Sequence, residues 1–356
     1  MNENEITDKR TIKEFKGITF SKYKKSDAKK ELLNNLSSGK IEPACYWAAE
    51  FICAGHYADI WEIIIFFCSK HIHLGNPKLP IYLDLRLDHF KQILHNGYQE
   101  NIIKMRNSDK IRKLFGEIIS VLCLSKKKHT FDNIKIGKDD FNITKITYKL
   151  KADSTQYASI IFKNEDPSEL FVGINEFYWN ILKEQKNGAL ACWWLEWILG
   201  FEDICKKENK KYSAARRSNM PVEGSYQKDV IWMIWECLLM EANNRSKGMH
   251  KIVTAMLSIF CLRYKPGVRK RRKYLIYFAI NLLTEPLDNS IPIIKNEKIV
   301  ENITSKINVI YKQIKKNEVK PATDYLFNNN IKNNNLEKTI SKLEKMNALV
   351  GMVPRK

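Results

Sequence analysis

Glycine is scarce in this chain, with 14 residues in 356. Where glycines fall, they do not form the loops that cradle phosphates. There is no G-x-x-x-x-G-K-[ST] loop: Gly39-Lys40 has neither the upstream glycine nor a following Ser or Thr. No G-x-G-x-x-G, G-x-S-x-G or H-E-x-x-H occurs either, which excludes the common nucleotide, serine-hydrolase and zinc-protease signatures. The eight cysteines stand at 45, 53, 68, 123, 192, 205, 237 and 261 without one C-x-x-C pair. They lie mostly inside apolar segments, which points to reduced, buried thiols in a cytoplasmic or nuclear compartment rather than to disulfides or zinc. The longest apolar runs, 60–68 (interrupted by Glu62) and 252–262, fall short of the ~20 residues a membrane helix needs, and the N-terminus is polar. The expectation is a soluble protein with no membrane partner and no signal peptide.

The most telling absence is of negative charge. Between Glu241 and Glu285 there is no Asp or Glu, while the 43 intervening residues carry ten Lys or Arg, half of the chain's net +20. Five are consecutive: Arg269, Lys270, Arg271, Arg272 and Lys273. Lysine and asparagine are abundant throughout, and biased coding composition accounts for scattered lysines better than for this arginine-rich cluster. A local cationic patch attracts phosphates by Coulomb forces and counterion release. Pro266-Gly267 predicts a break after the apolar helix ending near Leu262, with the arginines beginning on a loop and running into a helix at Tyr274. Guanidinium groups at a helix N-terminus add charge to a ready-made anion site. Arg263, Lys265 and Arg269 to Lys273 are therefore the expected phosphate contacts, with Arg216 and Arg217 extending them and Tyr264 and Tyr274 available for base stacking. A nuclear-import signal, a surface for an acidic protein and a merely solvated face are the competing readings.

Periodicity divides the chain. Residues 1–30 read as a polar, loosely held arm. Helical spacing begins near 31 and runs to 128, with Gly55 as a helix stop, Asp59 as an N-cap, and Gly75 to Pro80 as a loop. Residues 129–166 carry short β-branched and aromatic runs (Ile134, Ile136; Ile143, Ile146, Tyr148, Leu150; Tyr157, Ile160, Phe162) and predict a small antiparallel β meander. Helical patterning returns over 167–290. Residues 291–356, with 13 Lys or Arg against 6 Asp or Glu, predict a basic, partly flexible tail with helices near 296–316 and 336–348 around the asparagine-rich 328–335. The fold class expected is mainly α, two helical modules joined by the meander. Ala44–Ile52 and Ala191–Leu199 echo one another at a displacement of 147, as in a duplicated helical module.

Other constellations point less clearly to chemistry. Trp47/Glu50, Trp194/Glu196 and Trp235/Glu236 read as core tryptophans with paired or solvent-facing glutamates. His71-Ile72-His73 follows Cys68, yet His-x-His shares one side only in a strand, so no metal or cofactor is expected. A deep pocket gathering Glu50, His56 or His71 would instead indicate an enzyme.

The run Ala44-Cys45-Tyr46-Trp47, then Ala54-Gly55-His56, then Ser69 to Pro77, resembles the helical C-terminal collar of clamp-loader-related AAA+ proteins, the bacterial MgsA-type ATPases in particular. The resemblance covers 41–77, about a tenth of the chain, and implies an assembling helical module, a homo-oligomer, without the ATPase core. The Lys/Asn-rich style is similar to that of proteins of large nucleocytoplasmic DNA viruses. The expectation is a non-enzymatic accessory factor of replication, repair or packaging that binds DNA or RNA without strong sequence preference. A virion or assembly scaffold that binds acidic proteins is the alternative.

Overall fold

The computed structural model describes residues 4–98, 101–130, 134–208 and 212–319. Its first half contains α1 (Lys25–Ser37), α2 (Ile41–Cys53), α3 (Tyr57–Phe67), α4 (Leu79–Ile93), α5 (Ile102–Asn107) and α6 (Asp109–Leu124). The second half contains α7 (Gln156–Ser159), α8 (Phe171–Ile181), α9 (Gly188–Lys207), α10 (Ile231–Arg245), α11 (Lys247–Phe260), α12 (Pro266–Arg271) and α13 (Lys273–Thr284), and the chain then returns to the first half as α14 (Glu297–Ser305) and α15 (Ile307–Lys315). Starts follow local chemistry. Asn101, Ser108, Ser246 and Asn296 each accept a hydrogen bond from the backbone N–H three residues on, opening α5, α6, α11 and α14.

Helix α2 packs on α1, α6 and α15, and α9 on α8 and α13. The halves are joined where α11 lies on α4 and where α13 lies against the π-helical turn Cys68–Ile72, so the apolar interior is continuous. All eight cysteines are buried and unbridged, and burial pushes the Cys53 and Cys123 thiols up to about 12.

The β meander is not there. Among the described residues the one β pairing is an isolated bridge between Ile18 and Lys24. Residues 138–149 form three successive 3₁₀ turns, and Gln156–Ser159 a short helix. The reason lies in polar side chains that take the backbone groups a ladder would use. Asp140 accepts from the N–H of Gly137, and Asn142 from that of Thr144. From α8, Glu176 accepts from the N–H groups of Lys151 and Ala152, and Asn175 from that of Ala158. The apolar residues pack on the second half instead of pairing: Ile146 and Ile161 are buried, and the Phe141 ring lies 5.6 Å from that of Trp197.

Two segments expected to be loose are packed. In the arm, Ile6, Phe15 and Phe20 are wholly buried, and Arg106 donates to the carbonyls of Asp8, Arg10 and Cys53. The single helix expected near 296–316 is split into α14 and α15, which cover α2 and α6; Tyr311 is buried with the Arg112 guanidinium over its ring. The expected helix near 336–348 and the asparagine-rich 328–335 lie outside the described residues. Gly55, at φ +77°, ends α2 as anticipated, whereas Gly200 sits inside α9, where its missing side chain admits the Phe141 ring. Asp59 falls in the first turn of α3, with His56 in the capping position.

The α3–α4 connection carries a strained, buried imidazole. His73 sits at φ +48°, nearly inaccessible, its ring 4.8 Å from that of Phe278 in α13. A Cβ on the neighbouring Gly75 would stand 2.1 Å from the Lys126 carbonyl oxygen, so the backbone there has no room to retreat. Burial, with the Lys128 charge adding to it, pushes His73 down to about 3. A depressed histidine pKa means that protonation favours the unfolded chain. Its contribution is therefore fully present above the unfolded value of about 6.5 and declines as pH falls below it. Chemical denaturation at about pH 7 and about pH 5 should show a loss on the order of 2 kcal/mol from this residue, and the His73→Leu variant should lose correspondingly less. Equal losses in both proteins would remove His73 as the cause.

Candidate nucleic-acid interface

The acid-free segment spans α11, a turn, α12 and α13. Pro266 does not break a helix but opens one, occupying the first turn of α12, where its missing N–H costs nothing. Arg272 (φ −100°, ψ 15°) marks the kink between α12 and α13. Arg269 to Arg271 thus form the last turn of a helix, where a cation is favoured, instead of standing at a helix N-terminus.

The basic run points largely inward. Arg272, with 3% of its side chain exposed, donates to Glu62 of α3 at 2.6 and 3.2 Å. Its Nη1 donates to the carbonyls of Phe260 (2.7 Å), Leu262 (2.8 Å) and Ile259 (3.3 Å) at the C-terminal end of α11. Arg269 is buried between Glu202 of α9 and Asp229, the latter at 2.6 Å. Lys273 reaches Glu196 of α9 at 2.8 Å, a carboxylate that also accepts from the Tyr277 hydroxyl at 2.5 Å. Lys270 and Asp203, 3.4 Å apart and both exposed, form a surface pair of little energetic weight.

The expected contacts therefore need correction. Arg269, Arg272 and Arg217 lie in the interior, where a phosphate cannot reach them without disrupting the pairs that hold them. Arg217 is inaccessible, bound to Asp166 and Glu236 and to the carbonyl of Ala215, and ties the 134–166 segment to α10. Burial raises the Asp166 carboxyl, but the Arg217 hydrogen bonds and two backbone N–H groups outweigh it and hold it below its ordinary value. Tyr264 is buried against Trp232 and Phe260 and donates to Asp229, so it cannot stack on a base. Tyr274 is half-buried, with its edge to Phe66 and the Lys70 ammonium over its face.

What remains is an outer set. Of the ten cations in the acid-free segment, five are paired: Arg269, Lys270, Arg272 and Lys273 as described, and Arg245 with Glu241. The other five, Lys247, Lys251, Arg263, Lys265 and Arg271, are exposed and have no ion pair among the described residues. Lys247, Lys251, Thr254 and Ser258 follow one another at helical spacing, so they form one stripe along α11. The stripe is roughly 16 Å long at 1.5 Å per residue. Sequence reasoning had passed over Lys247 and Lys251, although their i,i+4 spacing at the head of an amphipathic helix was the signal. Arg216 is exposed but held by Gln227 at 2.7 Å.

The stripe leads to a cleft. A cavity of about 980 Å³ opens between α3, α4 and the end of α11 and is walled by Tyr57, Trp61, Leu87, Phe90 and Leu262, with Arg263 and Ser258 where α11 ends. Arg263 adopts φ +47°, a left-handed conformation rare outside glycine. Lys91 on the opposite wall is paired with Asp88, and Asp59 with Lys25, which leaves Arg263 as the uncompensated charge there.

Glu50, His56 and His71 do not share a site. Glu50 is fully buried and accepts from the N–H and hydroxyl of Ser21. His56 borders the cleft, but its Nε2 is engaged with the carbonyls of Phe15 and Ile18. His71 faces His129, Nδ1 to Nδ1 at 3.2 Å. Among the described residues no group of three or more His, Cys, Asp or Glu is arranged to hold a metal, and no helix is long and apolar enough to cross a membrane.

Comparisons with family models, with curated proteins and with solved structures give no match.

Inner and outer halves of the basic run should separate experimentally. Arg269→Met leaves Glu202 and Asp229 without their buried cation and should cost about 3–5 kcal/mol by urea denaturation. Arg271→Gln, two residues along the same run, should change stability by no more than ~0.5 kcal/mol. Equal effects would mean that the two arginines are equally solvated.

Proposed function

We propose that this chain is a non-enzymatic nucleic-acid-binding protein, an accessory factor in replication, repair or packaging, that grips phosphates through the outer cations of its acid-free segment. The observation that carries this reading is the unneutralised set Lys247, Lys251, Arg263, Lys265 and Arg271. The fold supplies acidic partners to the inner cations from as far away as Glu62, yet it leaves these five in water with none among the described residues. Lysine and arginine side chains directed at phosphates give affinity without base readout, so sequence preference should be weak. The collar likeness of 41–77 adds little to this reading, because Ala44, Cys45, Ala54, Ile72, His73 and Leu74 are spent inside the chain's own core.

The test is binding to single- and double-stranded DNA and RNA at about 50 and about 200 mM salt, with wild type and a variant carrying glutamine at the five outer positions. Affinity should fall steeply with salt, and the substitutions should flatten the log–log slope by about one for each phosphate no longer neutralised. Absence of binding at the lower salt, or binding indifferent to the five substitutions, would overturn the proposal. Binding to an acidic polypeptide such as polyglutamate but to no nucleic acid would favour the scaffold reading instead.

A further inference from the structure

We infer that His71 and His129 form a binding site for a divalent transition-metal ion of the zinc type, at the join between the π-helical turn Cys68–Ile72 and the segment that follows α6. The inference stands apart from the nucleic-acid reading. Two backbone hydrogen bonds build the site. The N–H of Lys128 donates to the carbonyl of Ile72 at 3.2 Å, and that of Thr130 to the carbonyl of Lys70 at 3.1 Å. The two segments therefore run past each other in opposite directions, with residues 71 and 129 directly opposite between the two bonds. Side chains at such a position stand closest together.

The imidazoles meet through the Nδ1 atom of each, 3.2 Å apart. A tetrahedral zinc ion holds imidazole nitrogens at about 2.0–2.1 Å, which sets two of them about 3.3 Å from one another. The pair already has the bite of a chelate. Neighbouring rings fix the orientation of His71: Phe67 stacks on it at 5.1 Å and Phe66 meets it edge-on at 5.6 Å. Burial, with His129 and Lys70 adding to it, pushes His71 down to about 4, so at neutral pH a ring nitrogen keeps its lone pair. Without an ion, one Nδ1–H can donate to the other Nδ1. A bound ion takes that place, and the proton moves to Nε2 of the same ring. This pair is not the His71-x-His73 spacing of the sequence, in which His73 turns into the core.

The nearby cations are held elsewhere. Lys128 is paired with Glu285 at 2.8 Å, and the Lys70 ammonium lies over the Tyr274 and Phe66 rings at 4.8 and 5.5 Å. Among the described residues no third His, Cys, Asp or Glu completes the set, so water takes the remaining positions, as in an open zinc site. Two nitrogen ligands select zinc over magnesium or calcium, which require oxygen. With only two ligands and the Lys70 charge close by, the affinity expected is micromolar rather than nanomolar.

The test titrates the full chain at neutral pH with zinc chloride, and in parallel with magnesium chloride, by calorimetry and by unfolding temperature. Zinc should bind saturably and raise the unfolding temperature as its concentration rises, and magnesium should do neither. His71→Ala and His129→Ala should each weaken zinc binding by roughly tenfold or more, since a lost ligand costs at least as much as a lost supporting partner. His89→Ala, at an exposed histidine of α4, should leave it unchanged. His71 is half-buried, so His129→Ala, at an exposed position, decides the matter if His71→Ala fails to fold. Absence of saturable zinc binding, binding that survives either substitution in a folded chain, or magnesium binding as tightly as zinc overturns the site. Loss of zinc binding in His89→Ala places the ion elsewhere and overturns it as well.

Discussion

Arg272 occupies the junction on which the rest of the arrangement depends. Its guanidinium spans from Glu62 in the first half to three carbonyl oxygens at the end of α11 in the second. The planar fork suits both tasks at once, a bidentate grip on a carboxylate and donation to the negative end of a helix dipole. On either side of it, Arg269 reaches α9 and Asp229, and Lys273 reaches α9 again. The short run from Arg269 to Lys273 thereby ties α3, α9 and α11 around the start of α13. The cost of burying so much charge is met by pairing almost every donor, the condition under which a buried ionic network is tolerated.

That junction also shapes what is left for solvent. Once the inner cations are consumed by acids from elsewhere in the chain, the outer five are the ones left exposed without an ion pair among the described residues. The C-terminal anchoring of α11 by Arg272 fixes the direction of the lysine stripe and the position of Arg263 at its end. The cleft exists because α11 crosses α4 there and leaves a gap bounded by Trp61, Tyr57 and Phe90. Interior charge pairing and exterior charge display are thus two consequences of one placement.

Much of this was legible in the sequence, and the failures have identifiable causes. The helices of the first half, the stop at Gly55 and the burial of cysteine and tryptophan follow from periodicity and composition. The β-branched runs of 134–162 carried a strand signal, but Asp140, Asn142, Asn175 and Glu176 capture the backbone groups a sheet would need, and two of those four come from another helix. A charge window is a one-dimensional statement, so it could not show that Glu62, Glu196, Glu202 and Asp229 fold onto the basic run. One clue was visible: Glu62 interrupts an otherwise apolar stretch, the mark of a carboxylate with a specific partner. The cleft was not legible at all, since its walls come from residues near 57, 90 and 260 that only the packing of α11 on α4 brings together.

The measurement closest to the central claim is a double-mutant cycle on Glu62 and Arg272. Unfolding free energies of wild type, Glu62→Gln, Arg272→Met and the double variant give the coupling between two residues 210 positions apart in sequence. If the basic run is an internal tie between the halves, the coupling should be about 1.5–3 kcal/mol. A coupling within about 0.5 kcal/mol of zero, with Arg272→Met no less stable than wild type, would show that the run is a surface feature and that the account built on it is wrong.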